Sequence, residues 1–220
     1  MTKRTSKRVP LHFERKWGGR REGAGRPRGT RRTVAHRARP IHRARLPLHV
    51  TVRTRSGLPS LREDALAPHV RDVIATASRD AFRVLHFSIQ TNHVHLIVEA
   101  TDTVALSRGM QRLDSRIARR VNALVGVRGT FWRERYHART LASPRAVRNA
   151  IVYVLMNARK HGFRVTGVDA WSSAPWFDGF AERRADATDA PVRAPRTWLA
   201  GVGWRRRGLV HLAERPRAPD

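Results

Sequence analysis

The 220-residue chain carries 45 Lys and Arg against 17 Asp and Glu, a formal charge of +28 and a pI near 12.0. A chain so charged repels itself unless a polyanion neutralises it, so nucleic acid is the first partner class to expect. The absence of Cys excludes disulfides and Cys-based zinc sites, and no apolar run is long enough to suggest a membrane partner.

Only four of the basic residues are Lys. An Arg-rich genome would explain Arg over Lys, but not the shortage of acids. The first ten residues, MTKRTSKRVP, have no apolar stretch after their basic residues. The expectation is a cytoplasmic protein without a secretory leader.

Residues 1–45 hold 16 Lys and Arg and two acids, Glu14 and Glu22. The stretch GGRREGAGRPRGTRR has no periodicity and reads as a flexible basic arm. Its Gly-Arg-Pro-Arg resembles the core of an AT-hook, which would put Arg26 and Arg28 in a minor groove. Ala24 stands where the full motif wants a basic residue, so a nonspecific phosphate-binding tail is the plainer expectation.

Residues 46–54 alternate as a strand. Residues 58–79 carry Leu61, Leu66, Val70, Val73, Ile74 and Ala77 at helical spacing, with Pro68 expected to bend or split that helix. Residues 82–90 and 93–100 read as two strands joined by a turn at Thr91-Asn92. Residues 102–125 follow as an amphipathic helix. Its stripe is Leu106, Met110, Leu113, Ile117, Val121 and Leu124, surrounded by Arg108, Arg112, Arg116, Arg119 and Arg120. Residues 130–142 read as a further strand. Ser143 as N-cap and Pro144 then open a helix expected to run to His161, with Gly162 as its stop.

The first six elements follow the split βαβ plan of a ferredoxin-like domain. The fold class expected is therefore α+β, a ferredoxin-like antiparallel sheet with packed helices plus an added C-terminal helix. Three segments are expected: the basic arm to residue 45, a domain over 46–165, and a Trp-, Pro- and Arg-rich extension over 166–220. That extension either wraps the core or stacks on bases.

In a strand over 93–100, Val94, Leu96 and Val98 share a face, expected to pack with Leu85, Phe87 and Ile89. His93 and His95 share the other face. Two imidazoles so placed can ligate one divalent cation; equally, they can be two surface histidines on a solvated sheet face. A histidine-triad hydrolase would need a third His where Ile97 stands. A two-histidine phosphoesterase would need a second His-x-Thr to match His49-Val50-Thr51, which His93-Val94-His95 does not supply.

Tyr153 and Asn157, four residues apart, fall on one stripe of the last helix, beside the apolar stripe of Val147, Ile151, Val154 and Ala158. Tyr136, the other tyrosine, falls between Trp132 and the end of its strand and suits packing or stacking.

A His-x-His strand with apolar flanks, followed by a helical Tyr-x-x-x-Asn, resembles the single-tyrosine HUH transposases. The stretches NHVHLIV (92–98) and FWRERYHAR (131–139) are similar to those of the REP-associated tyrosine transposases. This chain departs from that family in having Ala158 where Asn-Pro is common. The resemblance covers residues 46–165 and implies a set of roles. His93 and His95 would bind Mg²⁺ or Mn²⁺, with Asn157 as third ligand or nearby amide. Tyr153 would attack the scissile phosphate and form a 5′-phosphotyrosine. The substrate would be single-stranded DNA with hairpins, held in part by Arg26, Arg28, Arg112, Arg116, Arg119, Arg120, Arg133 and Arg135. Relatives include monomers and homodimers that exchange the tyrosine helix. The other reading is a catalytically inactive nucleic-acid binder on the same fold; sheet-face binders need aromatics there, and this face, expected to carry His49, Arg53, His86, His93 and His95, suits a metal better.

Overall fold

Four strands account for the sheet, and each is set by a short alternating run. β1 is Leu48–Arg53, β2 Phe82–Ile89, β3 His93–Ala100 and β4 His137–Thr140. The structure, a computed structural model, describes residues 41–182 and 188–216. Arg26, Arg28 and most of the basic arm lie outside these residues. The strands lie in the order β2-β3-β1-β4, every pair antiparallel. With α1 (Ala67–Ala75) between β1 and β2, and α2 (Thr103–Leu124) between β3 and β4, this is the ferredoxin-like plan.

Several boundaries differ from the periodicity. α1 begins only at Ala67, with Pro68 in its first turn, where its missing N–H costs nothing. Pro68 therefore opens the helix instead of bending it, and Leu61 is buried from the preceding loop. The strand read over 130–142 shrinks to β4. Phe131 and Tyr136 pack in the core from irregular chain, and Trp132 makes one bridge to Thr54. α2 is capped by Asp102, whose carboxylate accepts from the Ala105 N–H at 2.8 Å. Leu124, at its end, is 46 % exposed and has left the apolar stripe.

Two cores flank the sheet. α1 and α2 pack on one face, over Val50, Val52, Val84, Phe87, Val94, Leu96 and Val98. Gly109 of α2 lies against the Phe82 ring, where a Cβ would come within 2.2 Å of it. The other face carries Leu85, Ile97 and Leu141. It is covered by α3 (Pro144–Leu155) and by the C-terminal extension, which contributes Phe177, Phe180, Leu199 and Trp204. Leu85 was expected with Val94 and Phe87. A bulge between Val84 and His86 turns it to the second core. Covering this face overturns the picture of an open sheet presenting histidines to solvent.

The helix expected to reach His161 is broken. α3 ends at Leu155, Met156 leaves helical geometry (φ −100°, ψ 8°), and a single turn, α4 (Asn157–Lys160), follows. Gly162, at φ +79°, makes the stop that glycine permits. The chain then turns back over the end of β2 and β3. There Arg62 is paired with the buried Asp169 at 2.8 and 2.9 Å, donates to the Ile89 carbonyl and lies over the Phe163 ring. Among the described residues no helix is long and apolar enough to cross a membrane.

Candidate active site

β1 and β3 bring three histidines onto one sheet face. Their register pairs Thr51 with His95 and Arg53 with His93, so His49, Thr51, His93 and His95 share the face that α3 covers. The His93 and His95 rings are 4.7 Å apart, and those of His49 and His95 5.2 Å. All three are buried, with at most 7 % exposed, where the alternation had placed His93 and His95 facing out.

Burial is the main reason these rings stay neutral. It pushes His49 and His93 down to about 4; Arg139 adds to the effect at His49, and His161, Arg53 and Lys160 at His93. His95 falls to about 2, by burial first and then by the charges of His49, His93, His161 and Lys160. Neutral imidazoles are the form that binds metal.

The orientation of His95 is constrained. Its Nδ1 meets the Thr51 hydroxyl at 2.9 Å and His49 Nε2 at 3.2 Å. Its Nε2 is buried with no hydrogen-bond partner. With the proton on Nδ1, donated to Thr51, the Nε2 lone pair is left for a ligand. His93 Nδ1 meets the Asn92 side-chain oxygen at 2.9 Å, which fixes the second ring.

α3 delivers Tyr153 to this cluster. Its N-terminus is set by Ser143, whose hydroxyl accepts from the Ala146 N–H at 3.1 Å, and by Pro144. Val147, Ala150, Ile151 and Val154 hold its apolar side down. The half-exposed Tyr153 lies at the margin, its ring edge-on to His95 at 5.2 Å and to His49 at 5.6 Å. The Lys160 ammonium lies 4.8 Å from the centre of the ring and donates to the phenol oxygen at 3.4 Å.

Asn157 differs from expectation. It was read as sharing an exposed edge with Tyr153, yet after the break at Met156 it is completely buried. Neither its side-chain oxygen nor its nitrogen has a partner. The unpartnered Nε2 of His95 and the neutral ring of His93 are donors of a kind that a divalent cation such as Mg²⁺ or Mn²⁺ accepts, and the buried Asn157 amide is a further oxygen donor without a partner. Among the described residues no group of three or more His, Cys, Asp or Glu could hold a metal ion.

Residues that sequence reasoning missed complete the cluster. His161 stacks edge-on to His93 at 5.1 Å. Thr51 and His49 were legible as His-x-Thr, but only the β1–β3 register shows what they meet. Lys160 lies seven residues beyond Tyr153, two helical turns, which is the signal that could have found it.

The arginines expected to hold DNA divide. Arg112, Arg116, Arg119 and Arg120 are on α2, across the sheet from the histidines. Arg116 donates to the Thr76 hydroxyl at 2.8 Å and Arg120 meets His69 at 3.2 Å. Arg133 and Arg135 are exposed in the loop before β4, and the Arg133 N–H bonds the Arg53 carbonyl at the strand end that carries His93.

The fold is thus an α+β domain whose four-stranded antiparallel sheet carries a histidine cluster beneath a helical tyrosine. The chain belongs to the IS200-like transposase family, whose model, described as "Transposase IS200 like", matches residues 43–155, just over half its length. A solved structure of a REP-associated tyrosine transposase bound to a REP hairpin is similar to it, with a TM-score of 0.48 and 17% identity over 60% of this chain and 76% of that one. No curated protein matches.

Proposed function

We propose that the chain nicks single-stranded DNA and transfers the cut strand through a covalent bond to Tyr153. The observation that carries this reading is the meeting of Tyr153 with His95 and His49 within one chain. A helical phenol set against two neutral imidazoles is an unusual use of a sheet face unless a phosphate comes between them.

In this reading Tyr153 Oη attacks the scissile phosphorus and the bond to the 3′-oxygen breaks. Tyr153 loses its proton, the departing oxygen gains one, and a 5′-phosphotyrosine and a free 3′-hydroxyl remain. Attack by a 3′-hydroxyl reverses the step on the same or a new strand. The phosphodiester energy is kept in the tyrosyl bond, so no external energy source is needed. His93 and His95, with the Asn157 oxygen, would hold Mg²⁺ or Mn²⁺. A cation bound there polarises the phosphate and offsets charge as the bond changes. Thr51 and His49 keep His95 in its working tautomer, and the Lys160 ammonium supports negative charge on the phenol oxygen.

The hairpin substrate extends the reading from the REP-hairpin complex of the similar structure. The test is a covalent adduct with a hairpin oligonucleotide carrying a single-stranded extension, in the presence of Mn²⁺. The wild type forms it, Tyr136→Phe forms it, and Tyr153→Phe does not. An adduct with Tyr153→Phe removes the assignment. Tight binding with no adduct from the wild type identifies a noncatalytic binder instead.

A further inference from the structure

One cleft, of about 860 Å³, opens beside the histidine cluster and meets it at Tyr153. Its walls are β4 with Arg139, the first turns of α3 with Arg145 and Asn149, and the end of the described chain with Arg215. Tyr153 stands in its lining. The β1–β4 register sets Arg139 opposite His49, so this arginine shares the sheet face of the histidines. Its charge is one of the two influences that keep His49 neutral.

The charges of this cleft are unevenly compensated. Arg148 is taken up by Glu214 at 2.6 and 3.0 Å and by the carbonyls of Gly208 and Leu209. Arg139, Arg145 and Arg215 are exposed, and none has an ion pair among the described residues. Three uncompensated guanidiniums lining a concavity that ends on a phenol suit a flexible polyanion entering end-on. Asn149, one helical turn before Tyr153, offers an amide to a base edge.

We propose that this cleft holds the single-stranded DNA flanking the scissile phosphate, with Arg139, Arg145 and Arg215 gripping its phosphates. The inference rests on the strand-transfer reading for the identity of the strand. It assigns the strand to the Tyr153 side of the sheet. The arginines of α2, on the other side, do not touch it.

The experiment compares a blunt DNA hairpin with the same hairpin carrying a single-stranded extension, by fluorescence anisotropy over a range of salt. The wild type binds the extended hairpin more tightly. Arg139→Glu/Arg145→Glu/Arg215→Glu loses that gain and keeps its affinity for the blunt hairpin. Its slope of log affinity against log salt on the extended hairpin falls by about 2, at roughly 0.7 for each single-strand phosphate. Arg145→Glu alone, at an exposed side chain, lowers the slope by about 0.7 and guards against a folding defect in the triple variant. The inference is overturned if the extension adds nothing to wild-type affinity, or if its gain and slope survive in the triple variant. Failure of strand transfer shows separately, as a wild type that grips the extension and forms no adduct.

Discussion

The Tyr153 ring stands edge-on to the His95 imidazole, with centroids 5.2 Å apart, on residues that the chain separates by a helix, a loop and a strand. Every prediction about chemistry turns on how that pair is surrounded.

Lys160 supplies the cation nearest the phenol, 3.4 Å from its oxygen. Lys160→Met is expected to slow adduct formation about tenfold, the equivalent of ~1.4 kcal/mol in the barrier. Lys160→Arg should recover most of the rate. The side chain is exposed, so the urea midpoint should be unchanged in both. A Lys160→Met rate equal to wild type would remove the ammonium from the reaction.

Asn157 is buried with both polar atoms unpartnered. Such a group costs about 1–3 kcal/mol in the metal-free protein. Asn157→Ala should therefore raise metal-free stability by about 1 kcal/mol while lowering adduct yield, because the removed oxygen is a proposed ligand. Chemical denaturation with a chelator present measures the first effect. A loss of stability would show that the amide is satisfied in the folded chain.

Acid should unfold this protein early. His49 and His93 titrate at about 4 when folded, and His95 at about 2, against 6.5 when unfolded. Between those values the unfolded chain holds protons that the folded chain refuses, so stability rises with pH. The contribution of these groups is complete above pH 6.5 and is lost as pH falls toward 4. Urea midpoints measured between pH 7 and pH 5 should fall, with a slope greater than that of one proton. A flat profile would contradict the burial of the cluster.

Asp169 and Arg62 form a shielded pair, their side chains 4% and 10% exposed. Asp169→Asn leaves a buried guanidinium short of its counter-charge and should cost about 3 kcal/mol. Arg62→Met with Asp169→Leu should recover much of that loss. A double-mutant cycle measures the coupling, and a value near zero would mean the pair is no more than a surface contact.

Much of this was legible in residue order, for physical reasons. β3 runs from His93 to Ala100 as read, because period-two alternation across a sandwiched strand leaves few other registers. The pairing of Tyr153 with the histidines was suggested by the resemblance to single-tyrosine transposases; periodicity alone left open whether the helix reaches the histidine face. Burial was misjudged because alternation reports two faces and cannot say that both are covered. Leu85 changed sides through a bulge, which no local pattern marks. His49 and Thr51 were visible as residues, but their contacts with His95 depend on a β1–β3 register set by packing far along the chain. The break at Met156 has no Gly or Pro to announce it. It is what takes Asn157 off the Tyr153 stripe and into the interior.

The two margins of the sheet are finished differently. Along β2 the extension supplies backbone partners: the Ile89 N–H donates to the Trp171 carbonyl, the Ser173 N–H to Phe87 and the Arg193 N–H to Val84. That margin is occupied and cannot template another strand. β4 is guarded by other means, being four residues long and exposed, with His137 and Arg139 along it. Short, charged margins resist the edge-to-edge association that ruins longer ones. Among the described residues, this member of a transposase family thus leaves little sheet backbone open to pairing with another copy of itself.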